Sequence, residues 1–228
     1  MAVINGAQEN KTKGEEPREA VKKSKKPSKE KQTKLNVRLC LAAMEGDGPG
    51  VEDLLRAGAD PDAGNRHGLA MSAKKGEASS VKILLAASKI EEGSPEALMW
   101  AASEGHAECV SLLCAKKYNA KSLEIGLQAA ALGGHKACVL ELFERVESSE
   151  AKLVAIGVAA ACGQAEVVAL FLGMGVGRDE SALIELMQRA SEGGHEATVE
   201  VIGSFLDGVE LSKTVLPSAA SDKSGFRL

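Results

Sequence analysis

Five cysteines and four histidines are the side chains in this 228-residue chain that could ligate a metal, attack a carbonyl or relay a proton. Their spacing points elsewhere. A metal site is usually announced by a close ligand pair such as C-x-x-C, and Cys40, Cys109, Cys114, Cys138 and Cys162 form none. Histidine catalysis needs a nucleophile or carboxylate converging on the ring. His106, His135 and His195 instead each follow a glycine, far apart along the chain and in the same local setting, which predicts one structural job performed three times. His67 is expected in an exposed connector. Gly133-Gly134-His135 and Gly193-Gly194-His195 lack the spacing of a phosphate-binding loop. The acidic pairs Glu91-Glu92 and Asp179-Glu180 precede expected helices, where carboxylates complement the N-terminal dipole. No catalytic, cofactor or metal site is predicted, and the chain is expected not to be an enzyme.

The regular histidines belong to a longer frame. Gly46, Gly76, Gly105, Gly134, Gly163 and Gly194 recur every 29 to 31 residues. Five residues after each stands a valine: Val51, Val81, Val110, Val139, Val168 and Val199. Numbered from the glycine, position −7 is large and apolar (Leu39, Leu69, Leu98, Leu127, Ile156, Met187), −4 and −3 are Ala or Ser, and +8 is Leu, Phe or Ile. Positions −7, −4 and −3 share one helical face, and +5 and +8 share another. Each unit therefore reads as two short helices, the first ended by a glycine able to take a left-handed conformation. One helix pair cannot cover both its faces, so the units must stack.

The pattern L-x-x-A-A-x-x-G-H-x-x-x-V-x-x-L, carried by Leu98, Ala101, Ala102, Gly105, His106, Val110 and Leu113, resembles the ankyrin repeat. So does the tail Leu54-Leu55-Arg56-Ala57-Gly58-Ala59-Asp60. The resemblance spans roughly residues 35–207. It implies a helical solenoid that binds other proteins, with the residue after the glycine tying neighbouring turns by hydrogen bonds. The units depart from the family: they fall short of about 33 residues and have no T-P-L-H start. The shortening lies in the connectors. The expected fold is an all-α, ankyrin-like solenoid of six helix-turn-helix repeats with shortened or absent β-turn fingers. A tetratricopeptide-like array is the alternative, disfavoured by the period and by the absence of that family's aromatic positions. Ser94-Pro95 reads as a capped helix start, and Trp100, at −5, as core packing.

Composition bounds partners. Aromatic residues are 3% of the chain, too few for a base-stacking surface. Residues 1–34 hold ten Lys or Arg and five Asp or Glu, net +5; residues 35–228 hold eighteen and twenty-seven, net −9. The expected domains are a disordered basic leader at 1–34, the array at 35–208 and a tail at 209–228. Gly203 and Asp207-Gly208 are expected to end the array, with Arg189 marking a polar capping unit. Lys22, Lys23, Lys25 and Lys26 form a basic cluster that reads as a nuclear-import signal, a nucleic-acid contact or a solubilising tail. No secretory or membrane-spanning segment is read, and the cysteine usage suits reduced thiols in the cytoplasm or nucleus.

With fingers trimmed, the concave first-helix surface is expected to carry the partner, through positions −6, −2 and −1: Met44, Lys74, Lys75, Met99, Glu104, Gln128, Leu132, Gln188 and Glu192. The expected function is a protein-binding adaptor or scaffold, with no small-molecule substrate and no membrane. Two alternatives stand beside it. One is a subunit of a ribonucleoprotein or chromatin assembly gripping nucleic acid through the leader; the other is an effector that occludes an enzyme.

Overall fold

A computed structural model describes residues 28–215 of the chain, with side chains described through Gly208. Twelve helices fall into six pairs: α1 Lys29–Glu45 with α2 Gly48–Arg56, α3 Ala63–Lys75 with α4 Ala78–Ala87, α5 Pro95–Ser103 with α6 Ala107–Leu113, α7 Ala120–Gly133 with α8 Lys136–Phe143, α9 Ser149–Ala161 with α10 Ala165–Gly173, and α11 Glu180–Glu192 with α12 Glu196–Val215. The six frame glycines stand between the helices of each pair, all with φ between 73° and 83°. After each, the next backbone N–H donates to the carbonyl at −4; the bonds Asp47–Ala42, Glu77–Ser72, His106–Ala101, His135–Ala130, Gln164–Ala159 and His195–Ala190 are 2.9–3.0 Å long. That is the helix-ending bond a left-handed C′ residue makes possible.

Side-chain caps start most first helices. Ser94 accepts from the Ala97 N–H, Asn119 from Ser122, Ser148 from Ala151 and Asp179 from Ala182. Two layers result. First helices pack on first helices and second on second, and the core lies between the layers. It is made of the frame positions: Leu98, Ala101, Ala102, Val110 and Leu113 of unit three are wholly buried, as are their counterparts in units four and five.

Fingers are reduced as expected. Among the described residues the sole trace of one is an isolated parallel bridge, Glu92 to Lys117, with the Gly93 N–H donating to the Lys117 carbonyl at 2.7 Å. Tyr118 lies over Gly93 and its hydroxyl donates to the Ser94 carbonyl.

Three boundaries differ from the sequence reading. The first helix starts at Lys29, inside the segment expected to be disordered. Ser28 caps it, Glu30 pairs with Lys34, and Gln32 donates to the Gly58 carbonyl, tying its first turn to the end of unit one. The last helix runs through Gly203 and Gly208 to Val215, so those glycines do not end it. His67 belongs to α3 and not to a connector. Ahead of it Gly64, Asn65 and Arg66 are all left-handed, with φ of 59°, 56° and 61°, which is costly for the two non-glycine residues. The buried Arg66 guanidinium holds this turn by donating to the Glu92 carbonyl at 2.6 Å.

Candidate protein-binding face

A continuous face requires that the units hold a fixed stagger, and the residue after each glycine sets it. The His106 Nε2–H donates to the Lys74 carbonyl at 3.0 Å, His135 to Ser103 at 2.9 Å, and His195 to Ala161 at 3.0 Å. Because a carbonyl only accepts, each ring must carry its proton on Nε2. In unit five Gln164 supplies the same rung, donating to Leu132 at 3.0 Å. Every acceptor is the −2 carbonyl of the preceding unit. The rungs give the frame glycines a second job. A Cβ on Gly76, Gly105 or Gly163 would lie 2.5 Å from Nδ1 of His106, His135 or His195. A Cβ on Gly133 or Gly193 would lie 2.5–2.6 Å from the ring of the histidine two residues on, whereas Glu104 holds that position beside His106.

In unit two the residue is Glu77. Its carboxylate lies over Gly46, and it makes no side-chain hydrogen bond among the described residues. As an ionised acceptor it cannot donate to a carbonyl. The junction of units one and two therefore lacks its rung.

The outward face of each first helix is formed by positions −9, −5 and −2, one stripe at i, i+4 and i+7. Val37, Leu41 and Met44 form it on α1, Ile125, Ala129 and Leu132 on α7, and Val154, Val158 and Ala161 on α9. Val37, Leu41, Leu132 and Val154 are 46–54% exposed, large values for apolar side chains. Trp100 stands in the −5 row and is half-buried on this face, not core as expected. Its ring carries the Lys74 ammonium 3.9 Å from the centroid, a cation–π contact between adjacent units.

The sequence-selected residues divide. Met44, Lys74, Leu132 and Glu192 hold position −2 of this stripe, Met44 and Lys74 half-buried; Lys75 and Glu104 are exposed beside it. Gln188 is exposed and donates to Glu192. Met99 and Gln128, at −6, are half-buried, and their equivalents Ala70 and Gly157 are fully so. That row turns toward the neighbouring first helix, and the −9 and −5 rows take its place. A count of residues exposed by analogy missed them; the apolar triplet Val37, Leu41, Met44 was the available signal. Lys22, Lys23, Lys25 and Lys26 lie outside the described residues.

The remaining chemistry is quiet. All five cysteines are free thiols. Burial pushes Cys109, Cys114 and Cys138 up to about 11, so they stay protonated and unreactive at neutral pH. Hydrogen bonds from Ser181 and the Ala182 N–H hold Asp179 below the usual carboxylate range, as suits a cap. Among the described residues no three His, Cys, Asp or Glu side chains are grouped to hold a metal ion, and no helix is long and apolar enough to cross a membrane.

Residues 39–123 match the family model for ankyrin repeats, in three copies. The crystal structure of the human ASB11 ankyrin repeat domain is similar in fold, with a TM-score of 0.60 at 19% identity, covering 73% of this chain and 82% of that one. No curated protein matches. Residues 39–123 therefore match the ankyrin-repeat family, and the stacked helix pairs and left-handed glycines give all six units the same solenoid fold. Ankyrin arrays are in general non-enzymatic modules for binding other proteins.

Proposed function

We propose that this chain is an adaptor or scaffold that performs no catalysis and binds a protein partner on the first-helix face, in the cytoplasm or nucleus. One observation carries the reading. Of the nine large apolar side chains exposed among the described residues, seven stand on first helices: Val37, Leu41, Ile125, Leu132, Leu153, Val154 and Ile184. Five of these share the −9, −5 and −2 rows. A scattered distribution would need no explanation, but alignment across stacked units marks a surface shaped to be covered. Trp100, an aromatic at the middle of the array, has the character of an interface anchor.

The test is comparative. The tagged full chain is recovered from its native cell beside two variants, Lys74→Glu with Leu132→Glu, and Leu140→Glu on α8. Leu140 is 50% exposed and faces away on the second layer, so it controls for added charge. The reading expects the first variant to lose its co-purifying proteins and the second to keep them. Loss on Leu140→Glu alone places the interface on the other layer.

A second reading keeps a nucleic-acid contact in the basic leader, supported by its net charge of +5. Binding of RNA or DNA should then fall steeply with salt and vanish when residues 1–34 are deleted. Absence of binding at low salt removes it.

A further inference from the structure

The face is not uniform along its length. Around Trp100 it is charged, with Lys74, Lys75, Glu96 and Glu104 on units two and three. On units four and five its three rows carry no charge at all: Ile125, Ala129 and Leu132, then Val154, Val158 and Ala161. Leu153 and Ile184, 44% and 52% exposed, extend the apolar area toward unit six. Between α9 and α11 lies a cleft of about 350 Å³, floored by Val154, Gly157, Val158 and Leu186 and edged by Glu150 and Glu185. Gly157 keeps it open, because a Cβ there would lie 3.3 Å from the Arg189 guanidinium.

The charged lining of this cleft is Glu150, Glu185 and Arg189, negative by one. Arg189 is paired with Glu185 on its own helix at 2.7 Å. The Lys152 ammonium sits 4.1 Å from the Phe143 ring centroid and so turns toward the second layer. Lys121 lies 3.8 Å from Glu124. Glu150 makes no ion pair with the lysines or arginine around it. An apolar floor with carboxylates at its edge fits apolar side chains flanked by cations. The described residues expose no strand that could extend a partner's sheet, and an apolar cleft between helices is the setting in which a helix docks. Crossing three first helices spaced about 10 Å apart takes roughly 20–25 Å, or about 14–18 residues of helix.

We propose that units four to six seat one amphipathic helix of a partner protein, its apolar stripe on Ile125, Leu132 and Val154 and a Lys or Arg residue over Glu150. This rests on the first-helix reading above and sharpens it to a place and a partner chemistry.

Two fluorescently labelled synthetic helices of about 18 residues test it. They share one leucine stripe; one has a lysine-rich and the other a glutamate-rich polar face. Anisotropy is read against the full chain and against variants whose thermal unfolding matches it. The lysine helix should bind at least tenfold tighter than the glutamate helix. Leu132→Gln with Val154→Gln should weaken it at least tenfold, and Glu150→Gln should shrink the preference several-fold. Val37→Gln with Leu41→Gln should leave it unchanged. Equal binding of the two helices, or no binding of the lysine helix, overturns the proposal. Sensitivity at Val37 and Leu41 in place of Leu132 and Val154 overturns it and leaves the first-helix reading standing. Sensitivity at Leu140→Gln alone overturns both.

Discussion

Units three to five and the ends of the array are built on one frame and hold together differently. In the middle units all five core positions are wholly buried, and a side-chain donor reaches the preceding unit's carbonyl at every junction from two to six. At the N-terminal end the rung is missing because Glu77 cannot donate, a run of three left-handed residues precedes helix α3, and a groove of about 610 Å³ opens between α1 and α3, lined by Val37, Cys40, Leu41 and His67. At the C-terminal end Met187 and Val199 are half-buried and Ser191 is exposed, since among the described residues no seventh unit covers them. An interior unit is stabilised from two sides and a terminal one from a single side, so a repeat array concentrates its imperfections where they interrupt fewest interfaces. The apolar, uncharged part of the first-helix face falls on units four and five, where the core is wholly buried and every junction has its rung. A partner helix would therefore meet a preorganised surface.

Glycines sharpen this comparison with the largest expected effect. Gly105 and Gly194 share φ values of 83° and 73°, but a Cβ on Gly105 meets the His135 ring and one on Gly194 meets nothing within 4 Å. Gly194→Ala should cost about 1–2 kcal/mol, the strain of a left-handed alanine. Gly105→Ala should cost about 1 kcal/mol more, because it also displaces a rung. Urea unfolding of both variants checks this; equal costs would mean the ring does not depend on the missing Cβ.

The missing rung can be supplied. Glu77→His should stabilise the chain by about 1 kcal/mol, while His135→Ala should cost a similar amount. Amide exchange should show the gain of Glu77→His concentrated in α1 and α2. Protection that rises evenly along the array would show that the first junction was already as firm as the rest.

Two buried hydroxyls lack partners, Ser80 and Thr198, and both sit at position +4 outside the middle units. The middle units place Cys109, Cys138 and Val167 there. Thr198→Val keeps the shape and removes the unsatisfied group, so it should raise stability by up to about 1 kcal/mol. A loss of stability would mean the hydroxyl has a partner.

The smallest effect concerns pH. Cys109, Cys114 and Cys138 are raised from the ordinary 9.0 to about 11, so the folded chain favours their neutral form. Their contribution is fully present below pH 9 and is lost as pH rises toward 11. Cys109→Val with Cys138→Val should therefore flatten the fall in melting temperature across that window. At neutral pH a thiol reagent should modify exposed Cys162 first, then half-buried Cys40 at the loose junction, and the other three only on unfolding.

The frame was legible in the sequence because five core positions, buried in every unit but the last, and a left-handed glycine recur with little room for substitution. The donor after the glycine was legible too, as a repeated polar residue. Its position over the preceding glycine was not, since that depends on how units stack. The binding rows were half legible. Position −2 does stand on the outward face, but −6 faces the neighbouring first helix, and only packing separates it from −5 and −9. The early start of α1 was hidden by a composition of Lys, Glu and Gln that looks unstructured, although Ser28, the Glu30–Lys34 pair and Gln32 on Gly58 hold it. The left-handed turn at 64–66 shows in the sequence only as a Gly-Asn pair, residues that tolerate that conformation.

The central claim, that the first-helix layer is the working surface, is tested most directly by amide hydrogen exchange on the tagged full chain, free and bound to the protein that co-purifies with it. The account predicts new protection on α7, α9 and α11 and around Trp100, with α4, α6, α8 and α10 unchanged. Protection confined to those second helices would contradict it.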